Sequence, residues 1–196
     1  MRSIVINREY GSGGREVGRL IAEQAGVSFY DSRIIQDAAT AKGLSPGMLE
    51  RFDERISTNP FASIAVFAGV DPESSSMPYR LYSAVQDVVV SAARTAPAVF
   101  VGRCADKILA DEGIPFRSVF VYSTDLERKI TRAVEVDGVA RKAAEGHIAT
   151  MDRTRSRYQE FFTDTAFGDY REYDLCLNSA RLSYPQCAAV VLATVG

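Results

Sequence analysis

The chain has 196 residues, 46% of them hydrophobic, and a formal net charge of −2. That length fits one domain with an ordinary core, and the near-neutral charge excludes a broad electrostatic grip on nucleic acid. Of its 23 basic residues 19 are arginine, which reflects either genomic composition or a use of planar, bidentate contacts to phosphate and carboxylate. Cys104, Cys176 and Cys187 have no metal-ligand spacing and read as reduced, mostly buried thiols, so no metal site of protein ligands is expected. His147, the single histidine, reads as a surface or cap residue. Met1-Arg2 leads directly into a strand, and no apolar run could span a bilayer. No leader and no membrane partner are therefore expected, and the expected location is cytoplasmic.

In chain order, Ser3-Ile4-Val5-Ile6 reads as an apolar first strand, over about 3–7. A glycine-rich stretch, Arg8-Glu9-Tyr10-Gly11-Ser12-Gly13-Gly14-Arg15-Glu16-Val17-Gly18, then opens a helix over about 15–26 that Gly26 ends. Val27–Tyr30 is a short strand. Asp31-Ser32 caps a helix to about Ala41, residues 42–47 form a turn, and another helix starts at Ser45-Pro46. Ser57–Met77 is less regular and reads either as a substrate cover or as a long loop. Tyr79–Ala96 has helical periodicity, and Ala98–Gly102 and Phe116–Tyr122 are buried strands. Asp125 caps a helix to about Val136, and Asp137-Gly138 breaks it. Residues 139–162 form a charged helix, 173–178 a last strand and 185–192 a last helix. Strands alternating with helices imply an α/β domain built on a parallel sheet, with ligands at the carboxyl ends of the strands.

Three constellations could carry chemistry. Strand, glycine turn and helix is the layout of a phosphate-binding loop, in which backbone N–H groups meet an anion; a tight structural turn is the other reading. The usual pattern, G-x-x-x-x-G-K-[ST], is broken: Gly14 stands in place of Lys, Arg15 in place of Ser/Thr, and Arg8 in place of the first glycine. Arg153 and Arg157, at i and i+4, share a helix face and could straddle a transferring phosphoryl group, or could be a solvated face. Arg103, after an apolar strand, would be costly to bury without an anionic partner, and Asp31 with Arg33 is a weaker case of the same kind.

The glycine stretch, Phe29-Tyr30-Asp31, Val101-Gly102-Arg103-Cys104-Ala105-Asp106, Asp152-x-x-Arg155-x-x-Tyr158 and Tyr173-Asp174-Leu175-Cys176-Leu177-Asn178 together resemble the cytidylate kinase-like family, related to the P-loop nucleoside monophosphate kinases. The resemblance implies a single three-layer P-loop domain, with a helical acceptor-side insert at about 43–80 and a helical lid at about 138–170. It implies phosphoryl transfer from ATP, with Mg²⁺, to CMP or dCMP. Gly11, Ser12, Gly13, Gly14, Arg15 and Glu16 take the place of the ATP-phosphate loop. Arg103, with Asp106 near it, and Asp31 with Arg33 take the acceptor side, and Arg153 and Arg157 match lid arginines. Arg15 could replace the missing Lys charge, and Glu16 could hold magnesium or repel phosphate. A non-catalytic nucleotide- or anion-binding scaffold and a kinase for another small metabolite are the competing readings. The implied partners are nucleotides; oligomeric state is left open, a homodimer included.

Overall fold

The computed structural model describes residues 1–34 and 72–195. Among the described residues five parallel strands form one sheet: β1 (Ser3–Arg8), β2 (Ser28–Tyr30), β3 (Ala98–Val101), β4 (Phe116–Tyr122) and β5 (Leu175–Asn178), in the order β2-β3-β1-β4-β5. The apolar run of β1 explains its central place: Ile4, Val5 and Ile6 are all buried, as a strand covered on both faces requires. Alternation then sorts the side chains. Ile4 and Ile6 join the layer under α1 (Gly14–Ala25) and α6 (Tyr184–Leu192). Val5 joins the opposite layer, under α2 (Pro72–Thr95) and α3 (Ala105–Asp111).

A third cluster, Tyr10, Ile130, Ala133, Ala144 and Ile148, packs the glycine loop against α4 (Leu126–Glu135) and α5 (Arg141–Thr163). Parallel pairing places Arg8 beside Val121 and Ile6 beside Val101, which gathers the glycine loop and the turn after β3 at the carboxyl end of the sheet.

Within the described residues the expected elements are present with small shifts at their ends. Gly26 adopts φ 65° and closes α1 by donating to Ala22 and Glu23, and the Asp125 carboxylate caps α4 by accepting from the Arg128 N–H. The helix expected from Tyr79 starts earlier, at Pro72, so residues 72–77 are helical. Proline suits a first helical position, where the N–H has no partner within the helix. The rest of the helix that begins after Asp31, the turn at 42–47, the helix from Ser45 and most of the 43–80 insert lie outside the described residues. Cys104 and Cys187 are buried and Cys176 is exposed, so the thiols are mostly, not all, buried. Among the described residues no helix is long and apolar enough to cross a membrane.

Candidate functional site

The turn from β1 into α1 is a glycine loop whose helix begins without a side-chain cap, at Gly13 in the left-handed region. The first N–H groups of α1 therefore face the loop with no partner of their own helix, the arrangement that receives an anion. Each loop glycine also has a tertiary reason. A Cβ on Gly13 would run into the ring of Tyr184, and Gly13 sits at φ 80°. A Cβ on Gly11 would lie 2.9 Å from Cβ of Lys129. Gly13→Ala is thus expected to destabilise the fold through Tyr184 by about 1–3 kcal/mol, and Tyr184→Ala in the same chain should return part of the loss. Thermal unfolding of the three variants checks this; a double variant no more stable than Gly13→Ala would show that the ring is not the obstacle.

Over the loop lies a cavity of about 210 Å³ lined by, among others, Arg8, Gly11, Arg15, Asp31, Arg132 and Arg155. Gly13, Gly14, Glu16 and Arg33 line it as well. Ser12 does not: its side chain is turned inward and its hydroxyl donates to the Glu9 carbonyl at 2.9 Å, so the loop closes on itself there. Arg15, largely exposed, pairs with the buried Asp31 at 2.6 Å. The same carboxylate accepts the N–H groups of Arg33 and Ile34 at 3.0 and 2.9 Å, which fixes the turn after β2. Asp31 and Arg33 thus line the cavity over the loop.

A second cavity, about 300 Å³, opens between the turn after β3 and α5. It is lined by residues including Asn7, Arg103, Cys104, Tyr158 and Gln159. Three consecutive residues in that turn, Gly102, Arg103 and Cys104, have φ of 78°, 62° and 52°. Two of them are not glycine, and each such position stores about 1–3 kcal/mol of strain, the kind of outlier found at functional sites. The turn brings the Arg103 guanidinium over the Tyr158 ring, 5.4 Å from its centroid. Burial pushes the Cys104 thiol up, away from thiolate chemistry.

Asp106 faces neither cavity. It accepts from Asn7 Nδ2 at 2.7 Å and from the Lys107 N–H at 2.9 Å, and so orients Asn7, which does line the second cavity. Burial raises its carboxyl pKa against the pull of these donors. A raised carboxyl binds its proton more tightly folded than unfolded, so its contribution to stability falls as pH rises from the unfolded carboxylate range through the folded value. Asp106→Asn should therefore gain stability over the parent toward neutral pH, with the gap closing in acid. Unfolding midpoints across pH test this, and a gap that widens in acid would overturn it.

Arg8, Ser32 and Arg155 line both cavities. Burial, then the guanidinium groups of Arg155, Arg103 and Arg15, hold Arg8 well below its ordinary pKa against the pull of Asp31. Burial also lowers Arg155, which donates from Nη1 to the Arg8 carbonyl at 3.1 Å and lies 5.5 Å from the centroid of the Tyr10 ring. Burial with few carboxylates nearby leaves this pair of cations under-compensated, an arrangement that suits an anion.

Arg153 and Arg157 read from the sequence either as straddling a phosphoryl group or as a solvated helix face. Arg153 is exposed, and neither residue lines either cavity. On α5 the D-x-x-R-x-x-Y spacing aligns Asp152, Arg155 and Tyr158 on one face, and Arg153 lies two positions from Arg155, off that face. Arg8, singled out from the sequence only as a departure from the glycine pattern, lines both cavities. His147 is neither free surface nor a cap, since its ring packs edge-on against Tyr10 at 5.1 Å.

A parallel sheet with a glycine loop after its first strand, and arginine-lined cavities at the strand ends, defines a protein of the P-loop kinase-like class. The chain belongs to the cytidylate kinase-like family, whose sequence model matches residues 3–181. A crystal structure of an uncharacterized protein from Eubacterium ventriosum ATCC 27560 is similar at TM-score 0.73 and 22% identity, covering 100% of this chain and 98% of that one. TT1252 from Thermus thermophilus follows at 0.54 and 18%, with both chains fully covered (100% of each). Shikimate kinase from Acinetobacter baumannii, in complex with shikimate, stands at 0.53 and 15%, covering 100% of this chain and 93% of that one. At these identities the likeness is one of fold. No curated protein matches the chain.

Proposed function

We propose that the chain is a phosphotransferase that moves a phosphoryl group from ATP to a nucleoside monophosphate, CMP or dCMP. The observation that carries this reading is that Arg8 and Arg155 line both cavities at once. A phosphoryl group passing from one cavity to the other would travel between two guanidinium groups. Phosphoryl transfer has a loose transition state with charge spread over the equatorial oxygens, so positioning and neutralisation supply most of the catalysis. The uncapped N–H groups of α1 receive the donor phosphates. Arg8 and Arg155 supply the charge that the absent P-loop Lys would have brought. In the second cavity Arg103 and Tyr158 offer a cationic and a stacking surface, beside Asn7, whose amide Asp106 orients. Family membership supports a pyrimidine nucleotide in that place.

Magnesium fits the loop in one respect. Glu16 Oε1 pairs with Arg132 at 2.6 Å, whereas Glu16 Oε2 is buried with no hydrogen-bond partner. Among the described residues no group of three or more His, Cys, Asp or Glu side chains could hold a metal, which suits an ion carried mainly by nucleotide phosphates. Glu16 would be its protein ligand, and the ion would neutralise charge on the donor phosphates.

ADP release coupled to ATP, Mg²⁺ and a panel of nucleoside monophosphates tests the reading. Release that depends on CMP or dCMP is the expected result. Release with a non-nucleotide acceptor alone would overturn the acceptor, and binding of ATP without release on any acceptor would overturn the transfer.

A further inference from the structure

We infer that Lys129 is a positioning residue that ties the glycine loop to α5 and thereby holds Arg155 over the loop. The inference rests on the phosphotransferase reading above. Lys129 is 7% exposed, on α4. Its Nζ lies 3.2 Å from Glu9 Oε2 and 3.1 Å from Asp152 Oδ2, so one ammonium joins a loop carboxylate to a carboxylate of α5. Both carboxylates are also fixed by backbone. Glu9 Oε2 accepts the Ser123 N–H at 3.0 Å, and Asp152 Oδ1 accepts the Tyr10 N–H at 2.5 Å. Gly11 packs against the backbone and Cβ of Lys129.

Lys129 lines neither cavity, so it does not act on phosphate as a P-loop Lys does. It acts through its neighbours. Arg155 stands three residues after Asp152 and so on the same helix face. With Asp152 anchored beneath the loop, the Arg155 guanidinium reaches the Arg8 carbonyl and the Tyr10 ring. Removing the ammonium leaves Glu9 and Asp152 facing each other as two part-buried carboxylates. Their repulsion would part the loop from α5 and carry Arg155 away.

The test is a cycle of Lys129→Met, Arg155→Ala and the double variant, read as kcat and as KM for ATP. Lys129→Met is expected to lower kcat about 10²-fold, the size of a lost transition-state donor, with KM for ATP changed only a few-fold. The double variant should be no slower than Arg155→Ala alone, because the lysine acts through that arginine. Losses that multiply, or a loss that only tracks a lower unfolding temperature, would overturn the inference. If Lys129→Met fails to fold, Lys129→Met with Glu9→Gln keeps the net charge of the group and removes the tie. Hydrogen exchange of the Tyr10 amide gives a readout apart from turnover: it should quicken in either variant, and unchanged protection would overturn the inference. If the parent chain shows no turnover on any acceptor, the phosphotransferase reading falls separately, and the Tyr10 amide still decides whether Lys129 fixes the loop.

Discussion

Arg155→Ala should lower kcat by about 10²–10³-fold while leaving ATP affinity nearly unchanged, the loss seen when one preorganised transition-state donor is removed. The reasoning is geometric. Arg155 lines both cavities, bonds the backbone at Arg8 and lies against Tyr10, so its guanidinium is held before any ligand arrives. It costs little reorganisation at the moment of transfer, and its charge counts most when the transferring group carries most charge. Arg153→Ala and Arg157→Ala, off the cavity linings, should change kcat by no more than a few-fold. Single-turnover kinetics with ATP titrations separate the cases. Equal loss of kcat and ATP affinity in Arg155→Ala, or a larger loss in Arg157→Ala, would overturn the assignment.

The second large effect is expected at Arg8, which stands where a P-loop has its first glycine. Arg8→Met keeps much of the side-chain volume and removes the charge; kcat should fall at least about 10²-fold with a raised KM for the acceptor. Gly102→Ala offers an independent route to the same result. A Cβ at that position would run into Arg8 Nη1, and Gly102 has φ 78°. The guanidinium can swing away, so the chain should still fold, at a cost of about 1–2 kcal/mol for the left-handed alanine. Turnover should nevertheless fall as it does in Arg8→Met. A Gly102→Ala protein that loses stability but keeps its turnover would show that the placement of Arg8 is not required.

These effects also show where the sequence was and was not legible. The strands could be read because Ile4-Val5-Ile6 and Ala98–Val101 are short runs apolar on both faces, and helical patterns between them point to a covered parallel sheet. The glycine loop could be read because a strand, a turn and a helix start adjoin in the chain. Arg103 could be placed for a similar reason, since it follows a buried strand directly and its turn projects it into the second cavity.

The working face of α5 was a different matter. That helix is charged on most sides and buries only Ala144, Ile148, Gln159 and Thr163. Its periodicity therefore does not say which arginines face inward, and the i, i+4 pair Arg153 and Arg157 was as good a reading as any. The spacing Asp152-x-x-Arg155-x-x-Tyr158 held the better signal, because i, i+3, i+6 also marks one face, but nothing in the chain says what that face meets.

The sequence by itself determined the α/β class, the order of the described elements, the strand–glycine loop–helix layout and the family. All of these rest on patterns over a few neighbouring residues or on the order of such patterns. Only the tertiary structure decided that Arg8 and Arg155 share the two cavities, that Ser12 and Asp106 turn away from them, and that Lys129 joins Glu9 to Asp152 across 120 and 23 residues of chain. The physical reason is that a side chain's direction on a polar helix or loop is set by what packs against it. Residues far apart in the chain meet only once the sheet has brought the carboxyl ends of its strands together.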